Sequence, residues 1–314
     1  MRDNLKNNSV YLFFMRVLIT GGTGFVGANL VAKLVKGGHD VVTNGCNDEQ
    51  KIAPVRIFFP NDFTSINWSA QGNFDVVFHQ AAINDTQFND CPEMFRVNVD
   101  ASTDLFRAVI NNGCKRIVYA SSTAVYGNAK VLFKEDGELK PLTYYAKSKQ
   151  TLDEIAMGIS RQHPGVVIVG LRYCNIYGPR ENHKGQRASM IYQLAQQMLA
   201  GNPKLFEWGH HRRDFIYVDD VIEANLLAAQ AEESCVVNCG TGTAVSFNEI
   251  VHFLNKTLGT DRKPEYISNP FEKTYQCHTV CNMSFAKEKI GFVPKYSVEE
   301  GIKKYDGGGW LRRR

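Results

Sequence analysis

Thr20-Gly-Gly-Thr-Gly-Phe-Val-Gly27 decides the fold of this chain. Its glycines stand at 21, 24 and 27, directly after the short apolar run Arg16-Val-Leu-Ile-Thr20. Directly behind them, residues 25–35 carry apolar side chains at helical spacing. Strand, glycine turn and helix in this order make a cradle for a dinucleotide. Gly21 permits the tight turn, Gly24 lets the backbone approach a pyrophosphate, and Gly27 lets the helix pack on the strand. The rival reading, a turn without ligand, leaves three glycines weakening a helix start for no return. Phe25 and Val26, at the head of the helix, are counted with the turn as cofactor-binding.

Outward from the turn, Gly37-Gly38 closes the helix and Val41-Val42-Thr43 supplies a second strand. Further strand candidates lie at 55–59, 75–78, 116–120 and 165–171, several of them separated by helix-like stretches. This alternation predicts an α/β chain, a Rossmann-type doubly wound parallel sheet buried on both faces. After residue 178 the alternation loosens, with helices expected at 189–200, 221–231 and 247–258. Residues 15–178 therefore read as mainly a dinucleotide-binding domain. Residues 179–305 read as a smaller C-terminal substrate-binding region interleaved with it. The ends, 1–14 and 306–314, read as disordered extensions outside the fold.

Composition narrows the function. With 44% hydrophobic and 22% charged residues in 314, the chain is ordinary globular material. Its net charge of +4 is mild and, apart from Arg312-Arg313-Arg314, scattered. That excludes nucleic acid as a partner but suits an anionic small molecule. The apolar run at 10–14 is too short for a signal-peptide core or a membrane span, so a cytoplasmic enzyme is expected, as a homo-oligomer with no membrane partner. The eight cysteines form no Cys-x-x-Cys pair; Cys235/Cys239 and Cys277/Cys281 lack a histidine set to complete a zinc site. Free thiols in a reducing compartment and no metal are expected.

The chemistry lies at the strand ends. The second strand finishes Thr43-Asn44-Gly45, without the acid that holds a ribose and repels a 2′-phosphate. The cofactor is NADP or NAD, and the missing acid tilts the choice slightly to NADP, although no arginine stands nearby. Asn44 is expected at the cofactor. Asp62 and Phe63 suit the adenine, and the small residues of Gln80-Ala81-Ala82 let the cofactor pass closely. His79, just before them, reads as a structural hydrogen-bonder. Tyr119-Ala-Ser-Ser-Thr-Ala-Val-Tyr-Gly127 ends a strand in hydroxyls, and Ser122 is placed to hydrogen-bond a substrate hydroxyl. Tyr145 and Lys149, four apart, share a helix face. A tyrosine needs help to act as a base near neutrality, and the Lys149 ammonium is expected to lower its pKa. Tyr144 and Lys147 are decoys outside that spacing. Lys184, in Pro179-Arg-Glu-Asn-His-Lys-Gly185, offers a second proton-transferring group, as inversion of a carbinol centre requires.

Together these elements resemble the extended short-chain dehydrogenase/reductase (NAD-dependent epimerase/dehydratase) family, over about residues 15–305. Leu171-Arg-Tyr-Cys-Asn-Ile-Tyr-Gly-Pro179, Arg213-Asp-Phe-Ile-Tyr-Val-Asp-Asp220 and Asn238-Cys-Gly-Thr-Gly242 belong to that resemblance. Narrower features, Gly178-Pro-Arg-Glu-Asn-His-Lys-Gly185, Ala188-Ser-Met190, Pro203-Lys-Leu-Phe-Glu207 and Tyr266-Ile-Ser-Asn-Pro270 followed by Tyr275-Gln276, resemble the ADP-glycero-manno-heptose 6-epimerase subfamily.

The resemblance implies a nucleotide-sugar epimerase inverting C6 of an ADP-linked or related glycero-manno-heptose, with Lys184 as second acid/base. It implies substrate contacts at Asn175, Phe206, Glu207 and Tyr275, and places Arg213 at the diphosphate. Further contacts are expected from Asn98, Ile176 and Lys184 to the cofactor and from Thr86, Gln186 and Gln193 to the substrate. Another nucleotide-sugar 4-epimerase or 4,6-dehydratase is the near rival. Thr123-Ala124 stands where a dehydratase would carry Asp-Glu. A non-catalytic dinucleotide sensor is the distant rival, and it has no use for Ser122, Tyr145 and Lys149 together.

Overall fold

The strands of this computed structural model run, in chain order, β1 (Arg16–Thr20), β2 (Asp40–Asn44), β3 (Ile57–Phe59), β4 (Val76–His79), β5 (Arg116–Ser122), β6 (Val167–Tyr173), β7 (Asn175–Tyr177), β8 (Lys204–Phe206), β9 (Arg212–Tyr217), β10 (Cys235–Cys239), β11 (Ala244–Ser246) and β12 (Glu265–Ile267). The helices are α1 (Phe25–Lys36), α2 (Cys91–Phe95), α3 (Ala101–Asn111), α4 (Tyr144–Gln162), α5 (Met190–Ala200), α6 (Val218–Ala228), α7 (Phe247–Leu258), α8 (Ser284–Ile290) and α9 (Val298–Gly307). The structure describes residues 14–45, 53–55, 57–128, 132–269 and 278–312.

Seven of these strands make the central sheet, ordered β10-β6-β5-β4-β1-β2-β3, and every pairing is parallel. The order reverses at β1, which lies between β2 and β4, so a crevice opens beyond the carboxyl ends there. Both faces are covered because successive residues of a strand point to opposite sides. Val17 and Ile19 pack with α1, α6 and α8 in one apolar layer. Leu18 packs with Leu105 of α3 and Leu152 of α4 in another. A third cluster, with Ile191, Phe215, Ile250 and Ile302, joins α5, α7 and α9 beside the small sheet β11-β9-β7.

Element boundaries agree with the sequence reading to within about three residues. Beyond residue 178 the chain sends β10 back into the central sheet beside β6. One expectation is corrected. Within residues 306–312, Leu311 is fully buried in the third cluster, and Arg312 pairs with Asp306 at 2.7 Å. Three consecutive glycines disguised an ordered tail whose single leucine reaches the core. Residues 1–13 lie outside the described residues. No helix among the described residues is long and apolar enough to cross a membrane.

Candidate active site

A cavity of about 720 Å³ opens at the carboxyl ends of the central strands, between the sheet and the region built from α5, α7 and β9. Its floor is the glycine turn. Gly21 has φ +69°, and a side-chain carbon there would lie 2.9 Å from the Ala81 backbone. At Gly27 such a carbon would lie 2.1 Å from the Gly21 carbonyl oxygen, so helix and turn meet only through glycine. Gly24 caps α1 without any side-chain hydrogen bond, and Gly24, Phe25, Val26 and Gly27 line the cavity. An uncapped helix start opening into a cavity fits the phosphates of a dinucleotide, which satisfy the first-turn N–H groups and sit at the positive helix end.

Other expected cofactor residues converge here. Asn44, Asp62, Phe63, Gln80, Ala81 and Ala82 line the same cavity. Asn44 is tied to the turn, its Oδ1 accepting from the Gly21 N–H at 3.1 Å and its amide donating to the Asn61 carbonyl at 2.9 Å. Asp62 caps a short turn by accepting from the Thr64 N–H at 2.9 Å. Gln80 accepts from the Tyr173 hydroxyl at 3.0 Å. Ile176 also lines the cavity. Asn98 does not; it sits in a π-helical turn, Arg96–Asp100, and ties Ile83 to Ser148. His79 is buried between Thr20 and Ser102, and burial pushes its pKa down to about 3, so it stays neutral and structural.

Ser122, Tyr145 and Lys149 meet at the cavity wall. Ser122 ends β5, and its hydroxyl accepts from the Ala124 N–H at 3.2 Å. Tyr145 stands in the first turn of α4, whose cap, Thr143, accepts from the Ala146 N–H. One turn on, the buried Lys149 donates to the Ala120 carbonyl at 2.8 Å and lies 5.8 Å from the centre of the Tyr145 ring. Tyr144 and Lys147 are exposed.

The charges depart from the sequence reading in one respect. Burial raises the Tyr145 pKa; the neighbouring Ser122 hydroxyl works against that and the Asp153 carboxylate adds to it. The expected lowering by Lys149 is overridden, since burial also takes the lysine down to about 8, with Asp153 opposing. Desolvation of both partners was not visible in a four-residue spacing.

Lys184 also lines the cavity, on the turn Asn182–Arg187 that follows β7. Its ammonium lies 5.4 Å from the centre of the Phe25 ring. Burial lowers its pKa; Glu181 opposes the shift and Arg187 adds to it.

Thr86, Asn175 and Arg213 also line the cavity. Asn175 donates to the Asp214 carbonyl at 3.1 Å, and the buried Arg213 lies 5.8 Å from the Phe247 ring centre. Gln186 is exposed, and Gln193 donates to the Gln186 and Ala188 carbonyls, at 3.0 and 2.7 Å, bracing the turn rather than lining the cavity. Phe206 ends β8 and is not among the lining residues, and Glu207 opens the turn Glu207–Gly209. Tyr275 lies outside the described residues.

Sequence reasoning gave no role to Arg187, Phe247 or Glu181; the first two line the cavity and the third is fully buried beneath it. Ligand atoms of Cys174, Asp214 and Cys281 lie within 4.8 Å of one another. The Asp214 carboxylate already accepts from the Thr241 N–H and hydroxyl and from the Gly242 and Cys281 N–H groups. A cation there would have to displace those donors.

Comparison with known proteins agrees with this geometry. The family profile described as "NAD dependent epimerase/dehydratase family" matches residues 17–240. The chain is 34% identical to an ADP-L-glycero-D-manno-heptose-6-epimerase of Brachyspira hyodysenteriae, over 94% of this chain and 99% of that protein. Its fold is similar to the crystal structure of the Helicobacter pylori ADP-L-glycero-D-manno-heptose-6-epimerase, with TM-score 0.88 and 33% identity over 98% and 99% of the two chains. It is also similar to a UDP-N-acetylglucosamine 4-epimerase of Methanobrevibacter ruminantium, with TM-score 0.88 and 25% identity over 96% and 99%.

Proposed function

The chain belongs to the NAD dependent epimerase/dehydratase family, and from that premise we propose that it inverts C6 of an ADP-linked glycero-manno-heptose. One observation carries the reading: two proton-transferring side chains, Tyr145 on α4 and Lys184 after β7, line one cavity from different elements. Inversion of a carbinol needs a proton removed on one face and returned on the other, which a single fixed group serves poorly.

The glycine turn, Asn44, Asp62 and Lys149 would hold the nicotinamide dinucleotide. When bound, that cofactor supplies a reversible hydride acceptor. One of Tyr145 and Lys184 takes the C6 hydroxyl proton as the carbinol becomes a carbonyl. The other returns a proton after the sugar has turned. Ser122 hydrogen-bonds the oxygen between these events, and Lys149 supplies the cationic charge that favours a phenolate at Tyr145. Arg213 offers its guanidinium to the diphosphate and Asn175 its amide to the sugar. The identity to two ADP-heptose 6-epimerases supports this substrate. The second strand ends in Asn44 rather than an acid, which supports NADP as the cofactor.

The test is incubation with ADP- and GDP-linked manno-heptoses, followed by NMR at C6. Interconversion of the ADP-linked C6 epimers is expected. An enzyme that leaves C6 untouched but inverts C4 of a UDP-hexose overturns the reading. Mass spectrometry of the dinucleotide released on denaturation decides between NADP and NAD.

A further inference from the structure

The segment bearing Lys184 leaves the fold at Gly178 and re-enters it at Ser189, the cap of α5. An irregular loop of this length fixes a catalytic side chain only if something fixes its ends. Glu181 does so. Although a carboxylate, it is fully buried. One oxygen accepts from the Gly178 N–H at 3.0 Å and the Ser189 hydroxyl at 2.9 Å; the other accepts from the Ser189 N–H at 2.5 Å. Its own carbonyl accepts from the Lys184 N–H at 2.9 Å. One residue thus joins both ends of the loop and starts the turn that aims Lys184 into the cavity.

We propose that Glu181 is the positioning residue for Lys184, holding its loop closed and setting an anion beneath its ammonium. The inference rests on the proposed role of Lys184 and deepens it. A buried carboxylate is costly unless several hydrogen bonds satisfy it, and a simple loop closure needs no charge. The charge faces Lys184, whose charged form it favours against burial and against Arg187 on the same turn. From the neighbouring elements, Tyr192 of α5 and Tyr305 of α9 also face Glu181. Both hydroxyls have raised pKa values and remain neutral; burial raises the Glu181 carboxyl too, opposed by the Gly178 and Ser189 N–H groups and by the Lys184 charge, so carboxylate and ammonium favour each other's charged form.

The test compares Glu181→Gln, Ser189→Ala and Lys184→Met in three measurements. These are C6 epimerisation, dismutation of a sugar 6-aldehyde analogue to its alcohol and acid, and titration of Lys184 by NMR of ¹³C-lysine protein. The Lys184 signal is identified by its absence in Lys184→Met. Glu181→Gln should slow epimerisation about 10²-fold, the scale of a small misplacement of a reacting group. It should leave dismutation, which Tyr145 alone supports, close to wild type. It should also lower the Lys184 titration midpoint, because the stabilising anion is gone. Ser189→Ala keeps the charge, so epimerisation should fall by less and the midpoint should barely move. If Glu181→Gln does not fold, Ser189→Ala decides, and wild-type epimerisation in it overturns the proposal. An unmoved midpoint, a wild-type rate, or loss of both reactions in parallel with thermal stability in Glu181→Gln also overturns it. Normal epimerisation by Lys184→Met instead overturns the second-base reading beneath it, so the two failures are distinguishable.

Discussion

The proton transfer proposed for Tyr145 needs only its hydroxyl; the ring lies at the cavity wall with the Lys149 ammonium 5.8 Å from its centre. Tyr145→Phe removes that oxygen and little else. Turnover should fall about 10²–10⁴-fold while the cofactor titrates in as before. A near wild-type rate in a steady-state assay means the residue is misassigned. Lys149 yields a pH prediction. Its folded pKa is about 8 against an ordinary 10.5, so the unfolded chain holds the proton more tightly. Wild-type stability should therefore rise between pH 8 and 10.5, by up to about 3 kcal/mol relative to Lys149→Met, and this contribution is lost as pH falls through 8. Denaturant titrations of both proteins across that window measure it; a pH-independent difference contradicts it. Ser122, Tyr145, Lys149 and Lys184, which the structure brings to one cavity, were legible because each sits in a short motif with its own spacing. The pKa of Tyr145 and the part played by Glu181 were not. Burial and a loop-spanning hydrogen-bond set join residues that the sequence leaves unconnected.

The glycine turn and the helix behind it were legible as elements because three constraints, tight turn, close approach and helix packing, each demand glycine at a fixed offset. Less local features escaped. The π-helical turn at Arg96–Asp100 has no composition signature, and the return of β10 to the sheet edge depends on pairing with β6 across more than sixty residues. The C-terminal tail escaped for the opposite reason, since its glycines suggest disorder. In the structure Leu311 fills the cluster under α5 and α9, Gln196 donates to its carbonyl at 2.7 Å, and Trp310 lies 5.6 Å from the Arg180 guanidinium. Arg180 precedes Glu181, so the tail braces the Lys184 loop from outside. Leu311→Ala should cost about 2–5 kcal/mol, the range for emptying a buried leucine. A melting temperature unchanged from wild type would show that the tail contributes nothing.

At the scale of the molecule, one parallel sheet presents its carboxyl ends to a second layer, and the cavity between them gathers groups from α1, β5, α4, β7 and β9. A buried ion pair ties one of these elements, α4, to the neighbouring strand β6. Arg172 of β6 meets Asp153 of α4 at 3.0 Å, with the Tyr119 hydroxyl donating to the same carboxylate at 2.9 Å. That pair lies one helical turn beyond Lys149, so the scaffold that orients the lysine also supplies the anion opposing its desolvation. Lys184 reaches the cavity on a loop closed by the Glu181 carboxylate. The proposed inversion turns on two acid/base groups, Tyr145 on α4 and Lys184 after β7, that line one cavity and serve one carbinol. Lys184→Met tests it most directly, assayed on both C6 epimers and on dismutation of the 6-aldehyde analogue. Epimerisation from either side should fall by about 10²–10⁴-fold while dismutation continues. Epimerisation at the wild-type rate would contradict it and leave Tyr145 as the single base.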